Sequence, residues 1–246
     1  MIDIHNHILF GVDDGPADLE LSATMARIAH EDGIRTIVAT PHFNHTWRVE
    51  KETVERKVAE LQAELDRLGV PLSIVCGNEV RIEGAGFVLE ALAKGRFCFL
   101  ANNPAFVLME EPWEGFHPDT WDVLETMRGR GTTIVLAHPE RHPFFRNEPK
   151  LLERMIATGA VWTQVSVGSL LGENGPDAQA YAERLVDGGL AHTLATDAHN
   201  LRRQPVLSPG FDIVSARAGA KAAEAIRERM ARIPANDVAA ERKRSS

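Results

Sequence analysis

Short apolar and β-branched runs alternate along the chain with longer segments in which apolar residues recur every three or four positions. The short runs are typical of buried strands, and the longer spacing is typical of helices that cover them. The predicted strands are Ile2–His5, Thr36–Ala39, Leu72–Cys76, Phe106–Met109, Thr133–Ala137, Val161–Val165 and His192–Ala195. The predicted helices are Asp18–Asp32, Lys51–Leu68, Phe87–Lys94, Thr120–Arg130, Pro149–Thr158, Asp177–Asp187 and Asp212–Arg232.

A strand followed by a helix, repeated in this way, indicates parallel strands joined by helical crossovers in an α/β fold. No Gly/Ser-rich or Pro-rich linker divides the chain, so we expect one domain over residues 1–233. Residues 234–246 are polar without an apolar period, and we expect them to form a disordered tail. The sequence leaves open whether the last helix closes the fold or contacts a second subunit, and oligomerisation therefore stays open.

The amino-acid composition limits the kinds of partner and cellular location that we expect for this chain. The chain has 35 Asp and Glu against 27 Lys and Arg, a net charge of −8, which does not provide the cationic face that nucleic acid requires. It lacks the roughly 18 consecutive apolar residues of a membrane span and the features of a signal peptide, so we expect no membrane insertion. Two cysteines, Cys76 and Cys98, cannot build a disulfide framework and fit a cytoplasmic protein.

Nine of the histidines and carboxylates fall at, or just after, the carboxyl ends of predicted strands. His5 and His7 form a His-x-His pair, and residues two apart in an extended chain point to the same side. The other seven are Asp14, His42, Glu79, Glu110, His138, Asp197 and His199. The carboxyl ends of parallel strands meet on one face of a barrel, so the pattern predicts a single cluster.

Imidazole and carboxylate without thiolate suit zinc, manganese or iron. Nine candidates exceed what one ion uses, and two or three divalent ions that share a carboxylate are the simplest explanation. Such ions clamp a phosphoryl group and generate hydroxide near neutral pH. Three divalent ions facing four carboxylates leave two positive charges, which match a phosphate dianion.

Taken singly, each candidate has a simpler interpretation. His42 alone is more often a hydrogen-bonded loop residue, Glu79 and Glu110 alone are solvated carboxylates, and the Asp197 motif alone is a helix cap. The other histidines are assigned to surface, loop or packing positions: His30, His45, His117, His142 and His192. The coincidence of all nine candidates at strand ends favours the metal site.

Four motifs in order carry a resemblance to a known family: His5-Asn-His7-Ile-Leu-Phe-Gly-Val-Asp-Asp14-Gly-Pro, Ala39-Thr-Pro-His42, Ala137-His-Pro-Glu-Arg141 and Thr196-Asp-Ala-His-Asn200. They resemble the polymerase-and-histidinol-phosphatase (PHP) superfamily. With Gln164–Gly175 they are most similar to the CpsB/CapC/YwqE type of bacterial tyrosine-protein phosphatases of capsule and exopolysaccharide loci. The resemblance implies a distorted (β/α)7 barrel of the PHP type. It also implies divalent ions, manganese first, and dephosphorylation of tyrosines on a partner autokinase that controls polysaccharide export.

The resemblance also implies roles for individual residues. One ion is expected on His5, His7, Glu79 and Asp197, a second on Glu79, Glu110 and His138, and a third on Asp14, His42 and His199. Arg141 matches an arginine that contacts phosphoryl oxygens. The predicted catalytic residues are Arg141, Asp197 and His199, and the predicted substrate-binding residues are Arg141 and Arg203.

The chain departs from the subfamily at two places, Gln204 and Phe43–Glu50, and at Glu110 the matching ligand has a neighbouring alternative. Gln204 stands where the subfamily carries an arginine, so either Arg203 takes over that phosphate contact or the contact is weaker. Glu111 is the neighbouring alternative to Glu110. The segment Phe43–Glu50 is divergent, and its Trp47 either lines the substrate entrance or packs a surface loop.

Other functions stay open at this point. A PHP phosphatase of histidinol phosphate or a sugar phosphate is the first alternative. A metal-dependent amidohydrolase or nuclease also begins with His-x-His, although no lysine stands at a predicted strand end. The third alternative is a non-catalytic barrel that binds a partner and whose metal site is vestigial. A thiolate phosphatase is not supported, because neither cysteine begins a Cys-x5-Arg loop.

Overall fold

The computed structural model describes residues 1–234, and the predicted tail lies, apart from Pro234, outside the described residues. The strands are β1 Ile2–Asn6, β2 Thr36–Ala39, β3 His42–Phe43, β4 Ser73–Cys76, β5 Glu79–Arg81, β6 Phe106–Glu110, β7 Thr133–Ala137, β8 Val161–Ser166 and β9 Thr193–Ala195. The helices are α1 Leu19–Glu31, α2 Lys51–Leu68, α3 Ala85–Ala93, α4 Thr120–Gly129, α5 Pro143–Asn147, α6 Pro149–Ala157, α7 Val167–Leu170, α8 Pro176–Asp187, α9 Ser208–Ala218 and α10 Ala220–Ala231. Within residues 1–234 we find no helix with the length and apolar character that a bilayer crossing requires.

All strand pairs are parallel, and the strands follow one another around a distorted barrel. One sheet has the order β1-β2-β4 and the other has the order β3-β5-β6-β7-β8-β9. The chain runs from β2 into β3 and from β4 into β5 across two residues, which joins the sheets on one side. On the other side, the Asp197 amide donates to the His5 carbonyl and the His7 amide donates to the Ala198 carbonyl, each at 2.9 Å. The predicted seven-stranded α/β barrel is thus confirmed.

The second and third predicted strands are present as β2 and β4, and each is followed after two residues by a short strand that was not predicted, β3 or β5. The ladder breaks between β2 and β3 at Pro41, which has no amide to donate. It breaks between β4 and β5 at Gly77, where a β-carbon would lie 2.7 Å from a neighbouring valine methyl. The buried Asn78 side chain donates to the Pro41 carbonyl at 3.1 Å and holds the two breaks together. Beyond them, His42 on β3 pairs in register with Glu79 on β5.

The predicted single helix Asp212–Arg232 is wrong, because the structure contains two helices there. They are separated by Gly219, whose φ of 88° and ψ of 158° lie outside the helical region and suit glycine. The second helix, α10, buries Ala223, Ile226 and Met230 and packs against β1 and β9. It therefore covers the junction at which the barrel closes.

The Asp3 side chain also stabilises the junction between β1 and β9, through hydrogen bonds that it accepts. It is fully buried. The Thr196 amide donates to its Oδ1 at 3.1 Å, and the Thr196 hydroxyl donates to its Oδ2 at 2.5 Å. The Asn6 side-chain amide also donates to Oδ2, at 2.9 Å. This carboxyl group ties β1 to the segment that follows β9.

Replacing Asp3→Ala leaves the buried Thr196 amide without its acceptor, so we expect the free energy of unfolding to fall by about 1–3 kcal/mol. Urea unfolding of chelator-treated protein measures this change without a contribution from metal binding. Asp212→Ala, at an exposed position of α9, is the control and should stay within about 0.5 kcal/mol of the parent. Equal stability of Asp3→Ala and the parent would contradict the role of Asp3 in closure.

Candidate metal centre

The nine side chains predicted to bind metal lie together at the carboxyl end of the barrel, and all of them except Asp14 are buried. Their ligand atoms form overlapping groups within 4.8 Å of one another: His7 with Asp14, His42 and His199; His5 with His7 and Glu79; His5 with His138 and Asp197; His42 with Glu79 and Glu110. The predicted convergence of distant strand ends is therefore present. The assignment of each residue to a particular ion stays a prediction.

His5 and His7 point to the same side, as their spacing predicts, and their Nε2 atoms are 3.2 Å apart. The Nδ1 atom of His5 lies 2.8 Å from the side-chain carbonyl of Gln164. The Nδ1 atom of His7 lies 2.8 Å from Asp13 Oδ2. When these oxygens accept a hydrogen bond from Nδ1–H, the Nε2 lone pairs are left directed into the cluster, as a metal requires.

Glu79 occupies the middle of the cluster. Its Oε1 lies 3.1 Å from His138 Nε2 and 3.4 Å from His5 Nε2. Its Oε2 lies 3.3 Å from His7 Nε2 and 2.9 Å from His42 Nδ1, the latter without hydrogen-bond geometry. Burial by itself would raise the pKa of Glu79, but the surrounding imidazoles hold it well below its ordinary value. Each oxygen of this carboxylate thus faces two imidazoles of the cluster, and the predicted role of Glu79 as a ligand shared by two ions stays a prediction.

Glu110 ends β6 beside Arg81, because the strand register pairs these two residues. Arg81 Nε donates to Glu110 Oε2 at 2.7 Å. Burial, followed by the negative charge of Glu79, nevertheless raises the pKa of Glu110 to about 7. The adjacent Glu111 accepts a hydrogen bond from the Thr120 hydroxyl at 2.8 Å instead, so Glu110 is the member of the pair that joins the cluster.

Two residues of the cluster have left-handed backbones. His138 has a φ of 31° and Asp197 a φ of 50°, a region that costs non-glycine residues about 1–3 kcal/mol and is concentrated at functional sites. The turn after His138 is held by the buried Glu140, which accepts from the Ser166 amide at 3.0 Å and the Ser169 hydroxyl at 2.7 Å. The surrounding structure thus fixes a backbone that the sequence does not favour locally.

Two guanidinium groups meet at Asp197. Arg141 Nη1 donates to Asp197 Oδ2 at 2.6 Å, and Arg203 Nη2 donates to the same oxygen at 2.7 Å. The guanidinium of Arg141 also lies 5.0 Å from the ring centroid of Trp113. Gln204 is exposed and donates to a loop carbonyl. Beside the Asp-x-His motif it is therefore Arg203, and not Gln204, that reaches the cluster.

Sequence reasoning missed several residues that shape the cluster. Asp13 accepts a hydrogen bond from the His42 amide at 3.0 Å in addition to its contact with His7. In the sequence, the only indication of this role is its position beside Asp14. His142, assigned to a surface, loop or packing position, is fully buried and belongs to a group with Glu110 and His138. The remaining histidines outside the predicted nine lie elsewhere, at His30, His45, His117 and His192.

The Phe43–Glu50 segment folds over one side of the cluster. Asn44 accepts hydrogen bonds from the amides of Thr46 and Trp47, each at 2.8 Å, which closes a tight turn. The indole of Trp47 stacks on the His42 ring with centroids 5.2 Å apart. Trp47 thus packs this loop against a histidine of the cluster, and its place at a substrate entrance stays a prediction.

The donor set fits divalent cations. Two imidazole nitrogens that face each other at 3.2 Å, with Glu79 and Asp197 oxygens 3.3 Å from them, have the separation expected of ligands that share one ion at about 2.0–2.2 Å. The set contains nitrogen and oxygen without thiolate, which suits zinc, manganese or iron. Both thiols, at Cys76 and Cys98, are buried in the core instead.

Comparison with known proteins places the chain in a family. A family model described as "Capsular polysaccharide synthesis, CpsB/CapC" matches residues 1–232. The chain is 38% identical over 203 residues to tyrosine-protein phosphatase YwqE of Bacillus subtilis, covering 82% of this chain and 78% of the relative. It is 32% identical over 232 residues to tyrosine-protein phosphatase CpsB of Streptococcus pneumoniae, covering 91% and 93%.

A solved structure agrees with this assignment. It comes from work on YwqE of Bacillus subtilis and CpsB of Streptococcus pneumoniae, which describes them as unique metal-dependent tyrosine phosphatases. It superposes on this chain with a TM-score of 0.91 at 33% sequence identity, covering 96% of this chain and 95% of the other. Together with the whole-chain family match, this shows that the chain belongs to the CpsB/CapC family of capsular polysaccharide synthesis proteins.

Proposed function

We propose that this chain is a metal-dependent phosphomonoesterase that removes phosphate from tyrosine residues of a protein. The observation that carries the proposal is the meeting of Arg141 and Arg203 at Asp197, on the edge of a cluster built to hold divalent cations. Cations and guanidinium groups at one point form a site for a phosphoryl dianion. Relatives named as tyrosine-protein phosphatases support the choice of tyrosine.

The two arginines would bind the phosphoryl oxygens and hold phosphorus against the cluster. Arg141 is oriented by its contacts with Asp197 and the Trp113 ring. Arg203 is held by both the carboxylate and the backbone carbonyl of Asp197. Because Asp197 already anchors both guanidinium groups, little reorganisation is needed when charge builds up on the phosphoryl oxygens.

When bound, divalent cations would lower the pKa of water at the cluster and neutralise phosphoryl charge. The chain would hold two or three of them through the nine residues named above, with Asp197 and His199 as ligands, and manganese is our first choice among manganese, iron and zinc. The new bond forms between phosphorus and the water oxygen, and the bond between phosphorus and the tyrosine oxygen breaks. A phenolate with a pKa of about 10 leaves without a positioned acid, which favours aryl phosphates.

A cavity of about 580 Å³ opens beside Asp197 and Arg203 and supports a protein substrate. Its walls include the partly exposed Leu171 and Leu201 as well as Arg202. A cleft of this size takes more than a bare phosphate. We propose that it receives residues next to the phosphotyrosine, and that the physiological partner is a tyrosine autokinase of polysaccharide export. The cytoplasmic location expected from the cysteine content stays a prediction.

The structure gives less support to the alternative chemistries. An amidohydrolase-type site with a carboxylated lysine has no candidate among residues 1–234, because the lysines there lie in or at the ends of α2, α3, α6 and α10. For a thiolate phosphatase, a hydrogen bond to Cys76 and burial raise the pKa of the Cys98 thiol, which opposes a reactive thiolate.

Removal of metal with a chelator should abolish phosphatase activity, and re-addition of single divalent ions should restore it, since the cluster holds no other source of a strong nucleophile. We expect the reloaded protein to hydrolyse a phosphotyrosine peptide much faster than a phosphoserine peptide of the same sequence, because the phenolate is the better leaving group. Phosphate release after each re-addition is the measurement. Equal rates on the two peptides would contradict the tyrosine assignment, and faster hydrolysis of histidinol phosphate would favour a small-molecule phosphatase.

Arg203→Ala should lower kcat/KM for the phosphotyrosine peptide by roughly 10²–10³-fold, because one phosphate-binding guanidinium is lost. Gln204→Ala is the matched control, since that side chain is exposed and faces a loop carbonyl. Metal content, measured in both variants, should equal that of the parent. An unaffected Arg203→Ala together with an impaired Gln204→Ala would assign the phosphate contact to the other position.

A further inference from the structure

His142 has an unusual environment for a histidine. It precedes α5, and its side chain is fully buried. Neither Nδ1 nor Nε2 has a hydrogen-bond partner. Buried polar atoms are nearly always paired, and leaving one unpaired costs about 1–3 kcal/mol. Two unpaired nitrogens on one ring therefore need an explanation.

Aromatic rings fix the orientation of this imidazole. Trp113 stacks on it with centroids 4.5 Å apart and an interplanar angle of 26°. Phe144 lies 5.1 Å away, and Phe145 meets it edge-on at 6.2 Å. These contacts hold the ring in place without occupying either nitrogen. The arrangement keeps a nitrogen lone pair available, as a metal ligand requires.

One of the two unpaired nitrogens of His142 lies close to the metal cluster. One ligand atom from each of Glu110, His138 and His142 lies within 4.8 Å of the others. The ring centroids of His138 and His142 are 5.7 Å apart. An imidazole binds a metal through a ring nitrogen that is not otherwise engaged, and both nitrogens of His142 meet that condition.

We propose that His142 is an additional ligand of the ion held by Glu79, Glu110 and His138. This inference rests on the metal-binding part of the proposed function. It gives that ion four protein donors, two of them imidazoles four residues apart on the turn after β7. The ion would also satisfy one of the two orphaned nitrogens, which explains why that nitrogen has no hydrogen-bond partner within the protein.

His142→Phe tests the proposal, because phenylalanine preserves the stacking on Trp113 and removes both nitrogens. We expect the variant to keep its fold by circular dichroism and to bind one ion at least 10-fold more weakly in chelator competition, with the number of bound ions lower by one after dialysis. The visible spectrum of the cobalt-loaded protein should change as a nitrogen ligand is lost. His30→Phe is the control, since that histidine lies in α1 outside the cluster.

Unchanged metal affinity and an unchanged cobalt spectrum in His142→Phe would overturn the proposal. Weaker binding with an unchanged spectrum would also overturn it, since His142 would then act only through packing. If the phenylalanine variant does not fold, His142→Leu is judged by the same two measurements. Failure of the parent protein itself to bind any divalent ion would be a failure of the proposed function, and parent and variant are therefore measured side by side.

Discussion

A buried group of imidazoles and carboxylates is stable only if its charges compensate one another, and this requirement shapes the carboxyl end of the barrel. Glu79 shows it best: the carboxylate is fully surrounded by protein, and four imidazoles approach its two oxygens. In the opposite sense, burial and then the negative charge of Glu79 raise the pKa of Glu110 despite its contact with Arg81. Divalent cations between these side chains would balance the charges and hold the imidazoles in the neutral form.

The groups around the cluster hold the donors in position. Gln164 and Asp13 accept hydrogen bonds from the Nδ1 atoms of His5 and His7. Glu140 holds the turn that follows His138. The contacts of Gln164 and Glu140 join segments that are far apart along the chain. They also explain how the protein tolerates left-handed backbones at His138 and Asp197, since a conformation of this kind persists only where several surrounding contacts determine it.

The edge of the cluster at which Arg141 and Arg203 meet is organised around one carboxylate. Asp197 belongs to the cluster through Oδ1, which lies 3.3 Å from His5 Nε2, and it holds both arginines through Oδ2. If the two arginines bind a phosphoryl group as proposed, Asp197 would set its position relative to the cations. Gln204 is exposed and donates to a loop carbonyl instead, so Arg203 is the side chain beside the Asp-x-His motif that reaches Asp197.

The sequence by itself determined the alternation of strands and helices, the His-x-His geometry and the nine donors at strand ends, because these follow from local periodicity and from the shared direction of parallel strands. It did not determine the helix break at Gly219, or the short strands β3 and β5 that follow beyond Pro41 and Gly77. Only the tertiary structure showed that Arg203, and not Gln204, contacts Asp197 and that His142 lies close to Glu110. Those contacts depend on how separate loops pack, and side-chain spacing along the chain does not encode the packing of loops.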